Sequence, residues 1–191
     1  MRQIVTICGK SLSGKTTLAR LLGEMGGAEM VSHTTRPMRA GEVDGKDYHY
    51  VTRERFDATD MAESVMVHGN SYGLAVETVN VALSSDKVPL VVVEPQGCAQ
   101  LSQVATELGW THTKIWIEQP TSVLAGRMAE RIARDDPKMR SSHESRWEAM
   151  EVVESGWAKA ISWDIHISNF NANTQDSALQ LIFQSVPSLE S

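Results

Sequence analysis

Apolar and polar positions follow two textures along this chain. Short, nearly unbroken apolar runs occur at Ile4-Val5-Thr6-Ile7-Cys8, Leu90-Val91-Val92-Val93 and Lys114-Ile115-Trp116-Ile117. Such runs predict strands covered on both faces, the habit of a parallel sheet. Between them apolar residues return every three or four positions. Leu18, Leu21, Leu22 and Met25 predict a helix over 15–25, stopped by Gly26-Gly27. Further helices are expected over about 75–84, 99–108, 121–134, 143–160 and 175–185, with Asp135-Asp136-Pro137 interrupting the third of these. In the helix at 143–160, Trp147, Met150, Val153 (or Glu154), Trp157 and Ile161 share one stripe. Shorter strands are expected at 29–31, 48–51, 64–68 and 164–167, and Thr52 caps a short helix through Glu54 and Phe56. Strands alternating with helices predict an α/β fold, a parallel sheet flanked by helices on both faces. Ligands in such sheets bind beyond the C-terminal strand ends, so the loops at 9–16, 94–97 and 169–171 should share one rim.

The length of 191 residues fits one domain. A net charge of −6 argues against a nucleic-acid-binding surface but leaves room for a local basic pocket. Cys8 and Cys98 lie in or beside apolar runs and read as buried free thiols rather than a disulfide. The six histidines show no metal-ligand spacing. No apolar run approaches a membrane span and no signal peptide opens the chain, so the expected location is the cytoplasm.

One polar stretch changes the picture. Gly9-Lys10-Ser11-Leu12-Ser13-Gly14-Lys15-Thr16 fits G-x-x-x-x-G-K-[ST] and sits between a predicted strand and a predicted helix, where a phosphate-binding loop must sit. Its glycines let backbone N–H groups curl around phosphate oxygens, and the helix behind adds its positive end. Lys15 offers a point charge to the β- and γ-phosphates of ATP, and the Thr16 hydroxyl is placed to ligate Mg²⁺, with Thr17 beside it. Residues 32–50 are polar and turn-rich. Arg36 and Arg39 there offer two planar forks to a phosphate dianion, and Tyr48 and Tyr72 offer hydroxyl donors. Glu63 and Glu94 are carboxylates that can accept from N–H donors of a ligand.

These residues also form a series that resembles guanylate kinases. Ser32, Thr34-Thr35, Arg36, Arg39, Gly41-Glu42, Gly45 and Asp47-Tyr48 match that family's monophosphate-binding segment. Glu63 followed by His68-Gly69-Asn70-Ser71-Tyr72-Gly73, then Gln96-Gly97, then Asp164-Ile165-His166-Ile167-Ser168-Asn169 match in family order. The resemblance implies a P-loop nucleoside monophosphate kinase with a core (1–31, 85–126, 148–191), a small mixed monophosphate-binding subdomain (32–84) and a helical lid (127–147). It implies phosphoryl transfer from ATP to GMP or dGMP with Mg²⁺, small-molecule nucleotides as partners, Ser32 and Glu42 among the substrate residues, and Asn169 on the adenine side. Arg127 and Arg131 fit the start of the lid. Arg131 and Arg146 are the implied catalytic arginines beside Lys15 and Arg36, although Arg146 comes later than the family spacing and Ile132 replaces the glycine after Arg131. Arg134 or Arg140 could take over either role.

Three positions depart from the family pattern. Leu74 stands where a base-touching hydroxyl is expected, Val92 replaces an aspartate, and Glu94 lengthens another. Loss of one hydrogen-bonding group in a base pocket is worth about 1–3 kcal/mol. Leu74→Ser is therefore expected to lower KM for GMP. The competing readings are a kinase for another, possibly modified, deoxynucleoside monophosphate, a ribose-phosphate kinase, and a non-catalytic guanylate-kinase-like binding module. The intact Gly14-Lys15-Thr16 argues against the last.

Overall fold

The computed structural model describes residues 2–39, 41–67, 69–134, 147–148 and 152–189. Five parallel strands form the main sheet in the order β2 (Gly27–Glu29), β7 (Val88–Val92), β1 (Gln3–Gly9), β8 (Thr111–Glu118), β9 (Ile165–Ser168). The three apolar runs are its three central strands. Successive residues face opposite layers, which is why no polar alternation survives in them. Val5, Ile7, Leu90, Ile115 and Ile117 pack with α1 (Lys15–Glu24) and α6 (Gln175–Ser185). Ile4, Cys8, Val91 and Trp116 pack on the other face with α3 (Val76–Leu83) and α4 (Pro95–Glu107).

A second, mixed sheet lies between residues 33 and 75, in the order β4 (His49–Tyr50), β3 (His33–Thr34), β6 (Asn70–Ala75), β5 (Met61–Val67). Helix α2 (Arg53–Asp57) is capped as expected, the Thr52 hydroxyl accepting from the Arg55 N–H.

Several elements differ from expectation. Strand β2 begins two residues early because Gly27 is part of it: a Cβ there would collide with Leu90. Strand β5 starts at Met61 rather than at 64 and turns through Gly69 (φ +76°) into β6, a strand that its Asn, Ser and Gly content hides. Within β6, a Cβ on Gly73 would come 2.8 Å from the Glu63 carbonyl oxygen, so only glycine lets the strands pair here. Helix α4 starts at Pro95, not at 99; proline has no N–H to lose in the first helical turn. At 154–159 the chain is a 3₁₀ helix, and Glu154 rather than Val153 faces inward. Helix α5 spans Thr121–Arg134. The expected interruption at Asp135-Asp136-Pro137, and Arg140, His68, Met150 and Arg146, lie outside the described residues.

Candidate active site

The C-terminal ends of β1 and β7 and the loop after β9 open onto one cavity of about 1030 Å³. One wall is the phosphate loop, from Ser11 to Thr17. Gly9 and Lys10 lie behind it. A Cβ on Gly9 would sit 2.6 Å from the Ser13 hydroxyl, so glycine lets the loop fold tightly over β8. Lys15 opens α1 and its Nζ donates to the Gly9 and Lys10 carbonyls at 2.7 and 2.9 Å. Thr16 is exposed on the cavity wall.

The facing wall comes from the mixed sheet and the turn at 36–48. Ser32, Arg36, Arg39, Glu42, Tyr48, Glu63 and Tyr72 all line it, so the cavity unites every described candidate for the monophosphate. Arg36 is 8% exposed and lies over the rings of Tyr48 and Tyr50, 5.4 and 5.5 Å from their centroids. Its Nη1 and Nη2 donate to the two Glu42 oxygens at 2.9 and 3.0 Å. Burial alone would depress the Arg36 pKa, but the paired carboxylate outweighs it and keeps the guanidinium charged. Glu42 also accepts from the Arg39 N–H and the Tyr50 hydroxyl, each at 2.8 Å. It is thus a hub that holds both arginines in place. Tyr50 was not foreseen as part of this site; its only sequence signal was alternation with Tyr48. Burial, and then Tyr72, push the Tyr48 phenol above its ordinary range, so Tyr48 is a donor at neutral pH.

Glu63 on β5 and Glu94, the N-cap residue of α4, also line the cavity. Glu63 is 3% exposed, and a Cβ on Gly97 would come 2.5 Å from its Oε2, so glycine makes room for the carboxylate against α4. Among the described residues, one buried oxygen on each glutamate lacks a hydrogen-bond partner. Burial and then the neighbouring Glu94 raise Glu63 to about 7. Burial likewise raises Glu94 to about 7, with Lys15 opposing and Glu154 adding.

A pH dependence follows from Glu63. A carboxyl raised from 4.5 to about 7 stabilises the fold fully below pH 4.5 and loses that contribution as pH climbs through 7. The melting temperature of the nucleotide-free protein is therefore expected to fall between pH 5 and 8. Glu63→Gln should make that fall shallower and raise the melting temperature at pH 8 by about 2–8 °C. Calorimetric melts of both proteins across that range check it; parallel curves contradict it.

Leu74 corrects an expectation. It is fully buried with Val79 and Ala82 of α3 and Cys98 and Leu101 of α4, and it is not on the cavity wall. Two residues beyond Tyr72 on β6, it has already passed from the pocket into the core. Leu74→Ser should leave KM for GMP unchanged and destabilise the protein by about 3 kcal/mol, some 6–12 °C of melting temperature. Steady-state kinetics and thermal melts separate the two outcomes. Val92 does line the cavity, half-buried, so an apolar side chain stands at that point of the wall.

Helix α5 brings Arg127 and Arg131 to the same cavity. Asn169 adopts φ +55° and its carbonyl accepts from Asn171 Nδ2 and the Thr174 hydroxyl, at 2.7 and 2.9 Å. Asn171, not Asn169, lines the cavity wall. Arg127, expected at the start of the lid, touches the phosphate loop, as do Gln119 and Glu154, which the sequence does not single out as site residues; Glu154 carried a signal only as the alternative inward position beside Val153. Among the described residues no helix is long and apolar enough to cross a membrane.

A family model described as guanylate kinase matches residues 1–185. The guanylate kinase of Nitratidesulfovibrio vulgaris is 45% identical over 104 residues, covering 51% of this chain and 50% of that protein, so this match spans about half the relative's length. That of Bradyrhizobium diazoefficiens is 38% identical over 157 residues, 74% of this chain and 69% of that protein. That of Sulfurimonas denitrificans is 29% identical over 185 residues, 94% and 85% of the two chains. The crystal structure of guanylate kinase from Anaplasma phagocytophilum shares the fold, with a TM-score of 0.69 and 23% identity over 97% of this chain and 86% of that one. With the family model matched over nearly its whole length, and its phosphate loop facing two arginines across one cavity, the chain belongs to the guanylate kinase family.

Proposed function

We propose that the protein transfers the γ-phosphoryl group of ATP to GMP or dGMP. The observation that carries this is the single cavity with a phosphate loop on one wall and the Arg36–Arg39–Tyr48–Tyr72 cluster on the other, ending in two acceptor carboxylates. Two anionic tails entering such a cavity meet between the walls, which is the arrangement in-line transfer requires.

In this reading Lys15 and the loop amides grip the ATP phosphates. Arg36, Arg39, Tyr48, Tyr72 and Ser32 grip the monophosphate, and Glu42 holds the arginines rather than the substrate. Glu63 and Glu94 accept from the N–H groups of guanine. Arg131 answers charge developing on the transferred group, and Arg146 is assigned beside it from its place in the sequence. Asn171 and Phe170 are on the ATP side of the wall, and Asn169 holds their loop. The residues also fit magnesium. The exposed Thr16 hydroxyl supplies one hard oxygen donor next to the loop, and magnesium habitually takes few protein ligands and keeps phosphate oxygens and waters. An ion held there would neutralise charge on the nucleotide phosphates. The free, buried Cys8 and Cys98 support a reducing compartment, the cytoplasm.

The test is a coupled assay of ADP release with ATP at one fixed concentration and each nucleoside and deoxynucleoside monophosphate in turn. Turnover should be confined to GMP and dGMP. Activity confined to pyrimidine monophosphates, or to ribose phosphates, rejects the assignment.

A further inference from the structure

Ser11, Leu12 and Ser13 form the outer bend of the phosphate loop, and each is held by a side chain from elsewhere in the chain. Glu154 takes the first: its Oε2 accepts from the Ser11 N–H at 2.7 Å and its Oε1 from the Ser11 hydroxyl at 2.8 Å. Arg127 Nη1 donates to the Leu12 carbonyl at 2.7 Å, and Gln119 Nε2 to the Ser13 carbonyl at 3.1 Å. The middle residue needs such support. Leu12 has φ +66°, a left-handed conformation that a side chain disfavours by about 1–2 kcal/mol and that persists only where its surroundings over-determine it.

Glu154 is the least expected of the three. It is 1% exposed, it stands beside a loop built to receive anions, and both its oxygens are engaged by one residue. A carboxylate this buried persists only with charge-assisted bonds, and a bidentate grip fixes direction as well as distance. We propose that Glu154 is a positioning residue for ATP: its carboxylate clasps Ser11 and holds the phosphate loop in its nucleotide-accepting bend before the triphosphate arrives. The gain is preorganisation, since a loop already ordered loses less freedom on binding. The inference rests on the reading of this loop as the ATP site. It also runs against simple electrostatics. A negative charge near phosphates repels them, so a carboxylate that merely sat there would weaken ATP binding, and its removal would strengthen it.

Glu154→Ala, Glu154→Gln and Ser11→Ala decide between these. ATP affinity is measured by titration calorimetry, and KM for ATP and GMP by steady-state kinetics. Glu154→Ala should weaken ATP binding about ten-fold, by loss of two charge-assisted bonds, while KM for GMP moves less than about two-fold. Glu154→Gln keeps one acceptor oxygen and should recover most of the loss. Ser11→Ala keeps the backbone bond and should show a loss of about three-fold. Unchanged or tighter ATP binding in Glu154→Ala overturns the clasp, as does an equal rise in both KM values with a lowered melting temperature. Should Glu154→Ala not fold, unchanged ATP affinity in both other variants overturns it. Failure of the wild-type protein to bind ATP would instead remove the reading beneath it.

Discussion

Lys15→Ala is expected to lower kcat by about 10²–10³-fold, the usual consequence of deleting one fixed donor from a site where charge develops. Phosphoryl transfer leaves little covalent work to the protein, so cations held in place carry most of the catalysis. Lys15 is suited to this by position. It opens α1, its backbone is fixed by the helix, and its side chain lies along the loop through bonds to the Gly9 and Lys10 carbonyls. Two hydrogen bonds to backbone carbonyls are lost with the side chain, so the melting temperature should fall by a few degrees. Kinetics and a thermal melt of one preparation check both halves. Turnover within a few-fold of wild type would mean the loop does not act on the transferred group.

Arg36→Gln should raise KM for GMP by about 30–100-fold while KM for ATP stays within about two-fold. The figure corresponds to losing one charge-assisted phosphate contact in a mostly buried setting. Arg36 is ringed by Glu42, Tyr48 and Tyr50, so its removal also has a structural cost. Glu42 keeps the Arg39 N–H and the Tyr50 hydroxyl, and the expected destabilisation is about 1–3 kcal/mol. The split between the two KM values distinguishes lost substrate contact from general loosening. Equal effects on both substrates would place Arg36 among structural residues only.

The parts of this account that could be read from the chain are those where one physical demand dominates. Strands β1, β7 and β8 are buried on both faces, so their apolar runs need no tertiary context. The phosphate loop was legible because its glycines, its lysine and its place between strand and helix serve a single ligand. The wall facing the phosphate loop was legible as a set of residues, but not as a geometry. Glu42 could be grouped with Arg36 and Arg39; that it bridges both and takes the Tyr50 hydroxyl depends on how the 36–48 turn folds back. Strand β6 was hidden because its pairing with β3 and β5, not the propensity of Asn, Ser and Gly, stabilises it. Leu74 was misread for a related reason. Sequence spacing places it beside Tyr72 but does not say where the strand passes from pocket to core. Glu154 was undecided because a 3₁₀ helix shifts the inward face by a fraction of a turn relative to the α-helix expected there.

The central claim is that one cavity grips two nucleotides by their phosphate ends, with Lys15 on one wall and Arg36 on the other. Its most direct measurement is calorimetric binding of a single molecule in which adenosine and guanosine are joined through five phosphates. The account predicts one molecule bound per chain, at least about 10²-fold more tightly than ATP or GMP alone, with Lys15→Ala and Arg36→Gln each weakening it ten-fold or more. Binding no tighter than ATP alone, or sensitive to only one of the two substitutions, would contradict it.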